Sequence, residues 1–522
     1  MPAGAPRLVA LLAGMLWNPA SAATQALLWF QAGHPTPQAE AVLAQLDSAA
    51  DRGLDPVDYD AAALVAAVER QRHDGRTLQP DLAALDAALS VAVFDYAHDL
   101  HSGRIDARAA GFAIGRPRPP LDRAQILARL AHSRDPAAEF AALEPQFVHY
   151  RLLEAALRHY RDLARQGELT RLPPLPKRTL RPGDRYAGAS ALRRLLVAMD
   201  DPAAGAADVG GGVASDDADV MDGALVKGLV RFQAQHGLVA DGLLSGRTYR
   251  ALTTPMSARV HSIELTLERW RWLPPFTAPP IIVNIPQFQL FAFRTTSDRA
   301  ADIAQMPVIV GQSFRDKRTP VFVSELRYLV FRPYWDVPAS IVRAEMLAPM
   351  RADPLFLERN GLEIVRGGGD DATPVRADAA SIATLAAGHL RLRQRPGPDN
   401  ALGLVKFVMP NDFGVYLHST PARNLFGRAR RDFSHGCIRV SDPVALAVHV
   451  LRSAPGDWSA EAVNAAMRGQ DARRVALGAP VPVMVLYATA LATEAGPVLF
   501  FDDIYGYDRR LDAMLQRRRA AR

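Results

Sequence analysis

From about Thr24 to Leu169, apolar side chains return along the chain at steps of three and four. Leu82, Leu85, Leu89, Val93 and Tyr96 form one such stripe, and Leu153, Leu157 and Tyr160 form another. That is the period of a helix with one buried face, so the pattern predicts a helical domain over about 24–170. The proline-rich, basic stretch RLPPLPKRTLRPGD (Arg171 to Asp184) then ends the helices and reads as a linker. A smaller helical unit is expected over 180–255. There Val226, Val230 and Phe232 share a helix, Gly237 can supply its left-handed cap, and Asp241–Gly242 a turn. A Gly/Ala/Asp-rich insert at 202–219 interrupts that unit and predicts a mobile loop.

From about Ser262 the period shortens. IIVNI, QLFAF, PVIVG, PVFVS, RYLVF, VKFVM, VYLH and PVMVLYA are short β-branched or aromatic runs between Pro, Gly, Asn and Asp. They predict a mainly-β sandwich or barrel-like domain over 262–490. A helical pattern (RAEMLAPMRADPLFLE) interrupts it at about 340–395, as an inserted helical subdomain would, and 491–522 remains as a C-terminal segment. The fold class expected is multidomain α+β.

Composition adds little to this until the N-terminus. About half of the 522 residues are apolar, which suits packed cores. The formal charge of +6 is spread along the chain without a nucleic-acid motif, so nucleic acid is not expected as a partner. Arg7, the apolar run LVALLAGMLW and the small residues Ala20 and Ala22 read as a signal peptide over 1–22. Export is therefore expected, with membrane attachment only if that segment is retained. An oxidising compartment rewards paired cysteines, yet the chain has one, Cys437. A lone thiol kept there invites a chemical explanation.

Cys437 lies in FSHGCIRV (Phe433 to Val440), and His418 ends the strand-like GVYLHST. A strand end holds a base rigidly, and one intervening loop can return the chain to bring thiol and imidazole together. A thiol is only slightly ionised at neutral pH, and a charged imidazole beside it would lower its pKa. Gly436 lets a substrate approach, and the N–H groups around Gly436 and Cys437 are candidates for an oxyanion hole. Arg439, two residues on, shares the side of Cys437 in extended backbone.

Plainer readings compete with this one. Cys437 alone reads as a buried inert thiol. His418, His435 and Cys437 offer zinc donors, but at no usual zinc spacing, and no metal is expected. His435 serves equally well to fix a loop, and Ser434 is a weaker nucleophile than a thiol. Trp270, Trp272 and Trp335 read as packing, Arg423, Arg428, Arg430 and Arg431 as a solvated loop, and His98 and His101 as a solvated helix face.

The pair of motifs His418-Ser-Thr-Pro and Ser434-His-Gly-Cys-Ile-Arg resembles the L,D-transpeptidase catalytic domain of the YkuD type. The closest likeness is to its large periplasmic branch, represented by YcbB. ERWRWLP, VNIPQFQL, VGQSFRDKRTPVF, PYWDVP, RQRPGPDNALGLVKF and DDIYGYD extend the likeness, and the helical N-terminus resembles that branch's scaffold domain more loosely. Arg332 departs from it, standing where the branch usually carries Asn. Residues 180–255 resemble a three-helix peptidoglycan-binding module through Val226, Phe232, Gln233, His236, Gly237, Leu238, Asp241, Gly242, Gly246, Thr248 and Leu252.

The resemblance implies a periplasmic cysteine acyltransferase without a cofactor, acting on peptidoglycan. Cys437 would be the nucleophile, His418 the base, and the Ser419 carbonyl the group that orients it. His435 and Gly436 would line the oxyanion region, and Arg439, Ser434, Tyr416 and Trp335 would face the substrate. The reaction implied takes a tetrapeptide stem, releases D-Ala, and passes the acyl group to a diaminopimelate amine in a 3→3 cross-link. Transfer to water, as in a carboxypeptidase or amidase, and a non-catalytic wall-binding scaffold are the alternatives.

Overall fold

The computed structural model describes residues 27–74, 79–114, 118–167, 169–199, 219–296, 303–314, 316–369, 372–494 and 496–521. The signal peptide expected at 1–22, and all but the last residue of the loop expected at 202–219, lie outside these residues.

Compactness divides the chain into two units, one of Met1–Asp47, Tyr59–Ala97 and Leu121–Ala141, the other of Ser48–Asp58, His98–Pro120 and Ala142–Arg522. The first is helical. Its helices Pro37–Asp47, Ala61–Asp74 and Arg123–His132, with most of Gln79–Ser102, bury Val42, Leu46, Val68, Leu89, Val93 and Tyr96. The buried Trp29 is held there by polar bonds, its backbone N–H to Asp86 (2.8 Å) and its indole N–H to Ser90 (2.9 Å). The helix Val148–Arg165 groups with the second unit instead, because Leu153, Leu157 and Tyr160 share a core with Ile263 and Leu267 of Met256–Arg271.

Among its described residues between 180 and 255, the second unit has three helices, at Ala189–Met199, Gly223–Gln235 and Gly246–Leu252. Gly237 takes the left-handed conformation expected of it (φ 60°). The buried Gln233 amide ties the Asp241–Gly242 turn: it accepts the Gly242 N–H (2.8 Å) and donates to Asp241 and Leu243. His101 corrects an expectation. It is buried, with Nε2 2.9 Å from the Pro119 carbonyl, and is not on a solvated helix face.

The described residues of 281–486 form thirteen strands: β1 (Ile281–Asn284), β2 (Gln289–Phe293), β3 (Ile303–Gly311), β4 (Phe322–Phe331), β5 (Trp335–Asp336), β6 (Leu362–Arg366), β7 (Thr373–Val375), β8 (Arg391–Gln394), β9 (Val405–Val408), β10 (Leu417–His418), β11 (Asp432–Ser434), β12 (Ile438–Val440) and β13 (Arg473–Leu486). Among the described residues, nine of them form one sheet in the order β11-β3-β12-β10-β9-β4-β13-β1-β2, and pairing of β2 with β3 closes it into a barrel. Closure leaves no free edge in that ring. Alternation sends Leu329, Phe331, Val405, Phe407, Leu417, Ile438 and Val440 into the core, all of them at or below 1% exposure.

The inserted region was expected to be helical, and the structure corrects that. It is an α+β layer in which β7-β6-β8-β5 make an antiparallel sheet. The helices of 339–352 and Ala379–Ala386 pack on that sheet around Leu362, Ile364, Leu390 and Leu392. LEIVR and LRLRQ alternate with period two, but charged residues fill the outer positions and mask the strands in a hydropathy reading.

Arg332 has a positive φ of 54°, a backbone state that Asn tolerates better than Arg. Its Nε is also buried, with no hydrogen-bond partner among the described residues. The departure at this position therefore carries local strain.

Candidate active site

Three short strands build the site by register alone. Leu417 pairs with Phe407 and with Ile438, and all three point into the barrel core. The alternate positions must then share the opposite face: Lys406 pairs with His418, and His418 with Arg439. Cys437, one residue before β12, and Tyr416, one before β10, extend that polar row, since the Ile438 N–H donates to the Tyr416 carbonyl (3.1 Å). The polar face is thus the complement of a well-packed apolar one.

The turn carrying Cys437 is locked from below. Gly436 has φ 119°, which favours glycine. Its carbonyl accepts from Thr319 Oγ1 (2.8 Å), and its N–H donates to Ser434 Oγ (3.1 Å). Ser434 Oγ in turn donates to the Cys437 carbonyl (2.5 Å). Thr319 is completely buried and also accepts the Gly311 N–H (2.8 Å). A side chain at Gly311 would collide with the backbone of Lys317 to Thr319, so this close approach requires glycine. Two expectations change here. Ser434 is buried and committed to the turn, not turned to a substrate, and the Gly436 N–H is occupied, not free for an oxyanion. The Cys437 N–H has no such partner among the described residues and is the remaining donor.

His418 is 4% exposed, and its Nδ1 lies 2.6 Å from the Ser419 carbonyl. A carbonyl only accepts, so Nδ1 carries the proton, and in neutral imidazole Nε2 is left as the basic nitrogen. Ser419 is itself fixed. Its hydroxyl accepts from the Leu404 N–H (2.7 Å) and donates to the Leu402 carbonyl (3.2 Å) around Gly403. The Tyr416 ring stands edge-on to the His418 ring at 5.7 Å between centroids.

Charge on this face differs from the expected ion pair. Burial, then the Arg439 guanidinium and the Lys406 ammonium, holds the His418 pKa down at about 3. Burial pushes the Cys437 thiol up, against hydrogen bonds from the Tyr416 N–H and hydroxyl and the charges of Lys406 and Arg439. The resting pair is therefore neutral thiol and neutral imidazole, because a third positive charge beside two cations in a buried place is costly. The Tyr416 hydroxyl has the thiol and the Trp335 side chain as hydrogen-bonding neighbours and feels the Asp336 charge, and the thiol itself donates weakly to the Gly414 carbonyl (4.0 Å). Trp335 is thus at the site, whereas Trp270 and Trp272 are core residues.

His435 sits apart on the exposed side. Its Nε2 is 2.7 Å from Glu345 of the inserted region and 3.1 Å from Lys317 Nζ. That contact couples the turn carrying Cys437 to the insert and lines no oxyanion donor. Arg430 pairs bidentately with Asp432, and Arg431 donates to the carbonyls of Val308 and Phe288, so this stretch is not a merely solvated loop. Among the described residues no group of three or more His, Cys, Asp or Glu side chains could hold a metal ion. Reading the motifs missed Lys406, Asp336, Thr319 and Tyr505. Tyr505 donates to the Gly311 carbonyl (2.5 Å) and accepts the Thr319 N–H (3.2 Å). The segments RTPVF, PYWDVP, VKFVM and DDIYGYD, which hold Thr319, Asp336, Lys406 and Tyr505, were their only signal.

Residues 279–483 match the family profile of the L,D-transpeptidase catalytic domain, and residues 21–157 match that of a scaffold domain. A protein of Haemophilus influenzae described as a putative L,D-transpeptidase is 34% identical over 260 residues. The matched stretch is 50% of this chain and 50% of that protein, so the chain spans about half the length of the curated relative it matches.

Proposed function

We propose that this chain is an exported peptidoglycan L,D-transpeptidase that works through a cysteine thioester. The observation that carries the reading is the single polar face of β9, β10 and β12. On it a thiol hydrogen-bonded by Tyr416 lies beside a histidine whose Nδ1 is bound to a carbonyl and whose Nε2 is therefore basic. The match of residues 279–483 to the catalytic domain supports it. The intact Ser-His-Gly-Cys turn argues against a purely wall-binding scaffold.

In the proposed reaction the Cys437 proton passes to His418 Nε2 as sulfur attacks the L-centred carbonyl of diaminopimelate in a tetrapeptide stem. The Cys437 N–H stabilises the developing oxyanion. The amide C–N bond breaks, the terminal D-Ala leaves with the proton from His418, and a thioester remains. The side-chain amine of a second stem attacks that thioester, gives its proton to His418 and expels the thiolate. The product is a 3→3 cross-link, and the amide energy is conserved without a nucleotide. The likeness to the large periplasmic branch and the apolar leader at 1–22 support a periplasmic location. The three helices of 180–255 are proposed as the peptidoglycan-binding module.

The test incubates the protein and its Cys437→Ala variant with disaccharide-tetrapeptide and weighs the products. A dimer lighter by one D-Ala is expected from the wild type and none from the variant. Disaccharide-tripeptide monomer alone would make the acceptor water. Equal turnover by the variant would remove the thioester.

A further inference from the structure

His418 is held neutral on its face of the sheet, so the positive charge that a thiolate needs must come from elsewhere. Two other cations stand on that face. Arg439 belongs to the motif itself. Lys406 comes from β9, in a stretch with no recognisable catalytic signature, where it lies directly opposite His418. Its ammonium sits 4.0 Å from the centroid of the Tyr416 ring, the same side chain whose hydroxyl faces the thiol. Among the described residues no carboxylate lies within ion-pair distance of it, and its charge is felt by Cys437 and, less strongly, by Asp336. A half-buried lysine beside an aromatic face with no carboxylate partner is disfavoured unless it serves an anion. The flanking residues of β9, Val405 and Phe407, fill the barrel core completely, so the strand cannot turn Lys406 away.

We propose that Lys406 is a positioning residue for the nucleophile: seated on the Tyr416 ring, its ammonium stabilises the Cys437 thiolate that the neutral His418 leaves without a counter-charge. The charged and titratable groups around that thiolate are Tyr416 and His418 on β10 and its approach, Lys406 on β9, Arg439 on β12, and Asp336 on β5 of the insert. On ionisation in the free protein the thiol proton goes to solvent, and His418 stays neutral. Sulfur keeps its electron pair, and Lys406 stays protonated throughout. The inference rests on Cys437 being the reacting group, as proposed above.

The experiment is the alkylation of Cys437 by iodoacetamide from pH 6 to 10, which forms the S–C bond, releases iodide and needs no peptidoglycan. Lys406→Met keeps the length and the contact with Tyr416 while removing the charge. It is expected to raise the midpoint of the alkylation profile by about one pH unit and slow the reaction at pH 7 about tenfold. Lys406→Gln, neutral but polar, should behave as Lys406→Met does, and Lys406→Arg should recover the profile to within about threefold. Circular dichroism and Tm establish that each variant is folded. A folded Lys406→Met protein whose profile superimposes on the wild type overturns the inference. So does a large gap between the Met and Gln variants, which would mean that shape and not charge matters. A rise in KM for the tetrapeptide with alkylation unchanged would also overturn it, making Lys406 a ligand for the substrate carboxylate. If wild type forms no cross-link yet alkylation still depends on Lys406, the transpeptidase reading falls and this one stands.

Discussion

Burial and two neighbouring cations bring the His418 pKa from 6.5 to about 3, and that has a consequence for folding as well as for catalysis. In the unfolded chain the imidazole takes up a proton as pH falls through about 6.5, but in the folded protein it stays neutral until about 3. The unfolded state therefore binds more protons in that window, and stability is present above it and declines as pH falls through it. Full development of this difference is worth on the order of 5 kcal/mol at one residue. His449, held at about 4, adds in the same direction. Denaturant titrations at pH 7 and pH 4 should show a marked loss in the wild type, and His418→Gln should retain more of its pH 7 stability at pH 4. An equal loss in both proteins would mean that His418 is not the buried neutral group described. In the reaction proposed above, the same shift leaves His418 an unprotonated base across the physiological range.

At the scale of elements, β4 ends in a position that its own residue does not suit. Arg332 leaves the strand with φ 54°, its N–H bonded to the Leu404 carbonyl (2.9 Å), which fixes the turn toward β5 and the insert. A left-handed non-glycine residue costs on the order of 1 kcal/mol, and Asn relieves part of that by bonding locally. Arg332→Asn should therefore raise stability by about 0.5–1 kcal/mol, seen as a higher denaturation midpoint at unchanged slope. A lower midpoint would show that the long Arg side chain supplies packing that outweighs the strain. The neighbouring strands were legible for the opposite reason. VKFVM and VYLH alternate strictly, and once their apolar members fill the barrel, the remaining positions are forced onto one face.

At the scale of the molecule, the C-terminal segment reaches back beneath the turn carrying Cys437. Tyr505 is buried, and its hydroxyl bridges the Gly311 carbonyl and the Thr319 N–H, the two elements that hold Gly436. Tyr505→Phe leaves a buried carbonyl and a buried N–H without this partner, and should cost about 1–3 kcal/mol of stability. Turnover by the folded variant should fall as well, although Tyr505 touches no reacting group. Unchanged Tm and turnover together would mean that the contact supports nothing at the site. The insert bears on the site from the other side, through Trp335 and Asp336 behind Tyr416 and through Glu345 on His435.

The sequence by itself determined the helical and β-rich regions and singled out Cys437 and His418 as a candidate pair. Each of these is written locally, in a periodic stripe, a strand alternation or a contiguous motif. Tertiary structure decided what the motif could not carry. Lys406 and Asp336 reach the site from β9 and β5, far from Cys437 in sequence, and only strand register brings Lys406 opposite His418. The protonation of the pair was also decided there. An isolated Cys–His pair suggests thiolate and imidazolium, but burial beside Arg439 and Lys406 makes the charged imidazole the costlier form, so the two rest neutral.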